Sequence, residues 1–254
     1  MKSNIEISQY STFNPAMFEK SSREIVARQI LFLLKKHLSE NKEVTSDKTL
    51  LDIGCSSGIM TNLYASKFKK TYGIDVDSSA LNYAKNKNKN ISFKKASATK
   101  TTFKNNTFDV VVANQIYMWV FDQKSMVNEI HRILKPGGVC FLGARNKYTF
   151  WDAQYYLPLI AFMPKFAADK YVKIFGKTDS YESKYLSFWE LERFYGKKFK
   201  IYKYSPLIMN DPKKYGYKKL AKYQKILNLV PKRFWGFTEP MLPNFVWILE
   251  KPAS

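Results

Sequence analysis

Leu50-Leu51-Asp52-Ile53-Gly54-Cys55-Ser56-Ser57-Gly58 is the stretch whose reading decides the fold. Thr49 to Ile53 reads as a short buried strand, Gly54 to Gly58 as a tight turn of small residues, and Ile59 to Phe68 as the helix that follows. Strand, small-residue turn and helix is the arrangement by which an α/β protein brings backbone N–H groups up to a ligand. The helix N-terminus favours a negative group, and glycine permits close approach. Downstream, Thr71-Tyr72-Gly73-Ile74-Asp75 reads as a second strand that ends in a carboxylate. A carboxylate at that point can accept hydrogen bonds from both hydroxyls of a ribose. The two βα units together predict a nucleoside-bearing cofactor.

A dinucleotide site needs G-x-G-x-x-G, whose middle glycine admits a pyrophosphate. Ser56 occupies that middle position here and Ile59 stands in place of the last glycine, so a pyrophosphate would be badly received. The pattern D-I-G-C-S-S-G resembles motif I of the class I S-adenosylmethionine-dependent methyltransferases, in the methyltransferase type 11 form, usually written with glycine at the Ser56 position. That cofactor has a zwitterionic methionine end and no phosphate. The resemblance extends over about Leu50 to Ala144. Phe108-Asp109-Val110-Val111-Val112-Ala113-Asn114 and Ile133-Leu134-Lys135-Pro136-Gly137-Gly138 look like later motifs of the same family, in the right order and spacing. One departure is Ser97-Ala98, where the family often has Asp-Ala; a hydroxyl accepts the adenine amino hydrogen bond more weakly than a carboxylate.

The intervening segments alternate as βαβαβ. A helix from about Ala80 to Asn86 is capped by Asp77 or Ser78, Ile91 to Lys95 is a third strand, and Phe108 to Ala113 a fourth, almost wholly apolar as a central parallel strand should be. Gln123 to Leu134 is a helix and Val139 to Ala144 a fifth strand. The alternation predicts a doubly wound, mostly parallel sheet. The resemblance implies a Rossmann-like sheet of seven strands, the sixth and seventh forming an antiparallel hairpin. The chain is expected to be one domain, 1–254. Residues 1–48 would be an N-terminal lid and helix, the helix running from Ser21 or Ser22 to about Leu38, and 49–144 the cofactor-binding half. A helical, aromatic-rich cap insertion would span 145–185, with Pro164 starting a helix. The C-terminal half, 186–254, would open on a helix capped by Ser187 and Glu190 and hold a second insertion at about 206–240, with a helix near Tyr217 to Leu229.

The resemblance implies S-adenosylmethionine contacts at Asp52, Gly54, Cys55, Gly58, Asp75, Val76, Ser97, Ala98, Asn114 and Gln115. The ribose would rest on Asp75, and the methionine end on Gly54 and Gly58 with its amine near Asp52. An acceptor pocket is expected beyond strands one and four, formed by Tyr117 and Trp119 and walled by Tyr148, Phe150, Trp151 and Tyr10. No general acid or base is assigned; Asp152, the one carboxylate near that pocket, reads better as a cap or surface residue. His37 and His131 sit near helix ends, where solvated, dipole-compensating or packed roles are expected, and no ligand spacing for a metal is present.

The chain has 254 residues, 45% hydrophobic and 25% charged, ordinary values for a globular protein able to bury a large core. Two cysteines, Cys55 and Cys140, make no disulfide framework, which fits a reducing compartment. Met1-Lys2-Ser3-Asn4-Ile5-Glu6 lacks the apolar run of a signal peptide and no apolar stretch is long enough to cross a bilayer, so a cytoplasmic location is expected. The net charge of +21 is carried mostly by lysine, with arginine only at positions 23, 28, 132, 145, 193 and 233. It fits compositional bias, or an anionic partner such as RNA, a glycan or a membrane. Sequence-specific nucleic-acid readers lean on arginine, Asn114-Gln115-Ile116-Tyr117 lacks the Pro-Pro of base-amino methylation, and no RNA-binding module is visible. The leading expectation is therefore methyl transfer to a small-molecule or lipid- or glycan-linked acceptor. Peripheral contact of the lysine-rich, aromatic cap with the inner face of a membrane is compatible with that reading. An RNA methyltransferase, or a cofactor-binding protein without turnover, is the alternative.

Overall fold

The computed structural model describes residues 18–40, 43–152, 155–181 and 185–253. The lid expected at the start of the chain, Tyr10 included, lies outside them. Helix α1 (Lys20–Glu40) leads into β1 (Thr49–Ile53), α2 (Ile59–Ala65), β2 (Lys70–Asp75), α3 (Ser78–Lys87) and β3 (Ser92–Lys95). Then come β4 (Phe108–Asn114), α4 (Gln123–Ile133), β5 (Leu134–Arg145), α5 (Lys165–Ile174), α6 (Phe188–Gly196), β6 (Lys200–Lys203) and β7 (Asn244–Glu250). The strands form a seven-stranded sheet in the order β3-β2-β1-β4-β5-β7-β6. The first five are parallel, and β7 runs antiparallel between β5 and β6. The strand order reverses between β1 and β4, which opens a crevice beyond their carboxyl ends.

Side-chain alternation along β1 and β4 assigns the two faces. Leu51, Ile53, Val111 and Ala113 point into a core with Met126 and Ile130 of α4 and Leu191 and Tyr195 of α6. Leu50, Val110 and Val112 point the other way, against Ala27 and Leu34 of α1 and Tyr64 of α2. The local signals act as read: Asp77 accepts the N–H groups of Ser79 and Ala80 at the start of α3, and Ser187 and Glu190 complete a capping box on α6. The cap has a small core of its own, Tyr155, Leu157, Ile160, Ala168 and Val172, under α5.

Two expectations need correction. His37 is buried rather than solvated: its Nδ1 is hydrogen-bonded to the Tyr204 hydroxyl at 3.1 Å and its ring meets Tyr202 edge-on. Burial pushes its pKa down, so it does not serve as a charged compensator of the helix dipole. The helix expected near Tyr217 to Leu229 is two single turns, Lys218–Ala221 and Gln224–Leu227, because the apolar residues Ile226 and Leu229 face solvent and supply no packing to hold a longer helix.

Candidate active site

A cleft of about 710 Å³ lies at the carboxyl ends of β1, β2 and β4, in the size range of small-molecule sites. Its floor is the β1–α2 turn from Asp52 to Ser56. One side is Asp75, Val76 and Asp77 with Ala96, Ser97, Ala98 and Thr99, and the far side is Asn114, Gln115, Ile116 and the segment Trp119 to Asp122. Ser22, Arg23 and Val26 of α1 close the mouth together with Met60.

The turn does not work as a phosphate cradle. The N–H groups of Gly54 and Cys55 both donate to the Ile74 carbonyl, at 2.8 and 3.0 Å, and that of Gly58 donates to the Cys55 carbonyl at 3.0 Å. Ser56 donates to Asp75 Oδ2 at 2.8 Å. These donors are spent inside the protein, which fits a cofactor without a pyrophosphate. Gly54 is required for another reason: its φ is +76°, and a Cβ there would stand 2.4 Å from Ile116 Cγ2. Gly58 does not line the cleft. A Cβ on it would meet Ala84 Cβ and Phe93 Cζ at 2.9 Å, so it lets α2 and α3 pack under the turn.

Asp75 accepts from the Ser56 N–H through Oδ2 and from the Asp77 N–H through Oδ1, at 2.8 and 2.9 Å. An ionised carboxylate has about four acceptor positions, so these bonds do not exhaust its capacity for a ribose hydroxyl. Burial pushes its pKa up, against the backbone hydrogen bonds that pull it down. Asp52 is more deeply buried, accepts from the Thr61 hydroxyl at 2.6 Å, and is pushed up to about 7 by burial, partly offset by that hydrogen bond and by the Arg23 charge. Ser97 Oγ and Thr99 Oγ1 lie 2.9 Å apart, and Thr99 N–H donates to Ser97 Oγ at 3.2 Å. Gln115 holds φ +58° while its N–H donates to the Gly143 carbonyl at 2.7 Å. A non-glycine residue held there is the kind of local strain that accumulates at functional sites.

Asp52, Gly54, Cys55, Asp75, Val76, Ser97, Ala98, Asn114 and Gln115 are thus brought together, and Trp119 joins them. Tyr117 does not line the cleft. It is buried below the cleft wall, and its hydroxyl donates to the Arg145 carbonyl and accepts from the Leu186 N–H. Tyr148, Phe150 and Trp151 do not line it either. Tyr148 packs on Phe162, Trp151 bridges to Pro158, and all three are exposed on the cap. Asp152 is buried and folds this turn, accepting the Tyr155 N–H at 2.8 Å, so it is not a surface residue. Ser22, Arg23 and Val26 escaped the sequence reading, because a helical pattern shows which face is apolar but not what its polar edge borders. Among the described residues no group of three or more His, Cys, Asp or Glu could hold a metal ion, and no helix is long and apolar enough to cross a membrane.

Residues 51–142 match the family model of the methyltransferase domain. A ubiquinone biosynthesis O-methyltransferase of Colwellia psychrerythraea is 30% identical over 113 residues, 42% of this chain and 46% of that one. The arginine-hydroxylase NDUFAF5 of Danio rerio is 34% identical over 95 residues, 37% of this chain and 29% of that one. The chain spans about half the length of the curated relatives it matches first, 48%, 40% and 46%. Among solved structures, the YcgJ protein of Bacillus subtilis superposes with a TM-score of 0.53 at 15% identity, covering 87% of this chain and 97% of that one. The geranyl diphosphate C-methyltransferase of Streptomyces coelicolor superposes at 0.51 with 16% identity, covering 87% and 79%. The family match over residues 51–142, the methyltransferase relatives and the sheet order together support a class I S-adenosylmethionine-dependent methyltransferase.

Proposed function

We propose that the chain transfers a methyl group from S-adenosylmethionine to a small-molecule or lipid- or glycan-linked acceptor by in-line displacement. The observation that supports this most is the half-buried Asp75 carboxylate. It is held by backbone N–H groups at the carboxyl end of β2 and faces a cleft in which the N–H groups of Gly54, Cys55, Ser56 and Gly58 are already bonded inside the protein. When bound, the cofactor supplies an electrophilic sulfonium methyl. Asp75 holds the ribose hydroxyls, and Ser97, Ala98 and Thr99 border the adenine. Gly54 and Cys55 admit the methionine end. Its ammonium is held at Asp52 and its carboxylate at Arg23. Val76, Asn114 and Gln115 complete the walls.

The acceptor enters beside Trp119, Val120 and Phe121, which give the mouth an apolar wall and favour an acceptor with a hydrophobic body. Sulfonium methyl transfer to an easy nucleophile needs no dedicated base, and positioning supplies roughly 7–11 kcal/mol at best.

The test is calorimetry with S-adenosylhomocysteine, followed by transfer of a labelled methyl group into metabolite, lipid and RNA extracts. Micromolar binding and transfer to a metabolite or lipid are expected. Absence of binding overturns the reading, binding without transfer to any extract favours a cofactor-binding protein without turnover, and transfer confined to RNA replaces the acceptor class.

A further inference from the structure

The segment between β6 and β7 has a surface that neither the fold nor the cleft uses. Its first part is anchored: Tyr204, Ile208 and Tyr215 are buried in the core beside α1, and Gly216 lies against Phe32. From Lys218 onward Leu220 still packs on that core and Trp235 is buried, but several large apolar side chains turn outward. Ile226, Leu229, Phe237 and Met241 project into solvent, at 63, 79, 86 and 78% exposure. Four large apolar side chains this exposed in one short segment are more than scattered surface hydrophobics.

The charge of the same segment is one-sided. Between Asp211 and Glu239 there are eight basic residues, Lys213 to Arg233, and no carboxylate. At the chain-wide ratio of 42 basic to 21 acidic residues, half as many acids as bases would accompany them, so general lysine richness does not account for the stretch. All eight are exposed, and none forms an ion pair with a described carboxylate. The cap differs: there Lys165 pairs with Asp169 at 2.6 Å and Lys173 with Asp179 at 3.5 Å.

We propose that residues 218–241 are a docking surface for an anionic lipid bilayer. Exposed aliphatic and aromatic side chains interleaved with unpaired lysines match an interface whose acyl boundary takes the former and whose headgroups take the latter. Lysine, a compact point charge, outnumbers arginine seven to one among these eight residues, and the aliphatic Ile226, Leu229 and Met241 have no use against phosphates and bases. These points favour a bilayer over RNA. The segment leaves and rejoins the sheet where Lys203 pairs with Trp247 and Arg145 with Asn244, the end of the sheet that also holds the cleft. The inference rests on this surface alone and not on the proposed activity.

The experiment is flotation of the full chain with phosphatidylcholine vesicles, with and without phosphatidylglycerol, at low and high salt. Two variants accompany it: Lys218→Gln/Lys219→Gln/Lys222→Gln/Lys225→Gln, and Ile226→Ser/Leu229→Ser/Phe237→Ser. All these positions are exposed, and unchanged circular dichroism and melting temperature check that the variants fold. Binding that requires phosphatidylglycerol, weakens with salt, and falls at least about tenfold in each variant is expected. No binding to anionic vesicles at low salt overturns the proposal. So does an apolar variant that binds as the parent does, or an RNA homopolymer that binds through the same lysines while vesicles do not.

Discussion

The backbone N–H of Ser56 donates to Asp75 Oδ2 at 2.8 Å, and Ser56 holds a left-handed φ of +48° to do so. The contact ties the turn after β1 to the end of β2, so the floor and the side of the cleft are one unit. It also fixes the rotamer of the carboxylate before any ligand arrives, and preorganisation of this kind lowers the ordering cost of binding.

Asp75→Ala removes that carboxylate. A charge-assisted hydrogen bond contributes on the order of 1.5–3 kcal/mol, so affinity for S-adenosylhomocysteine is expected to fall at least about tenfold. Calorimetry reads it, and an unchanged dissociation constant would remove Asp75 from the cofactor site.

Asp52 ties stability to pH. Its carboxyl ionises near 3.8 when unfolded and at about 7 when folded, because burial disfavours the charge. Between those values the folded chain holds the extra proton, so stability falls as pH rises through the window and stays lower above it. Asp52→Asn lacks this loss while keeping an oxygen for the Thr61 hydroxyl. The stability gap in favour of the variant should widen from about pH 4 to about pH 7, reach a few kcal/mol, and then stay level. The same variant should bind cofactor less well at pH 8. Urea denaturation across pH checks the first statement, and a gap independent of pH would refute it.

The β1–α2–β2–α3 unit was legible in the sequence because local signals settle it: a short apolar run, small residues at the turn, and Asp77 as the cap of α3. The residues that line the floor of the cleft follow from that unit. What the sequence did not disclose depends on contacts distant along the chain. His37 is buried because Tyr204, 167 residues away, covers it. Arg23 borders the cleft only because α1 packs across the sheet. The cap aromatics were expected at the acceptor, but composition does not say which way a ring points. A bridge between Trp151 and Pro158 and the Asp152 turn fold that stretch onto itself, and Tyr148, Phe150 and Trp151 do not line the cleft.

Glu129 gives the opposite dependence. Thr101 donates to it twice, through N–H and hydroxyl at 2.7 Å, and Arg132 pairs with it at 2.8 Å. These partners overcome the burial that disfavours its charge and hold its pKa at about 2. The stabilisation is present above about pH 4.5, the unfolded value, and is lost as pH falls towards about 2. Glu129→Gln should therefore be less stable than the parent at pH 7, with the gap closing as pH falls through that window. Acid titration of both chains followed by circular dichroism measures it, and a constant gap would contradict the pairing.

Tyr117 separates a structural from an acceptor-binding role. Its hydroxyl joins the Arg145 carbonyl at the end of β5 to the Leu186 N–H just before α6, so it fastens both edges of the cap insertion to the sheet. Burial pushes its pKa far up, which keeps the hydroxyl protonated and available as a donor. In Tyr117→Phe the ring still fills its place in the core, but a partly buried carbonyl and a partly buried N–H lose this partner. Unsatisfied groups of this kind cost about 1–3 kcal/mol. Lower stability in urea is therefore expected, with kcat and KM for both substrates unchanged at a temperature where the variant is fully folded. A variant of parental stability with a kcat reduced tenfold or more would instead place the hydroxyl against the acceptor and return Tyr117 to the site.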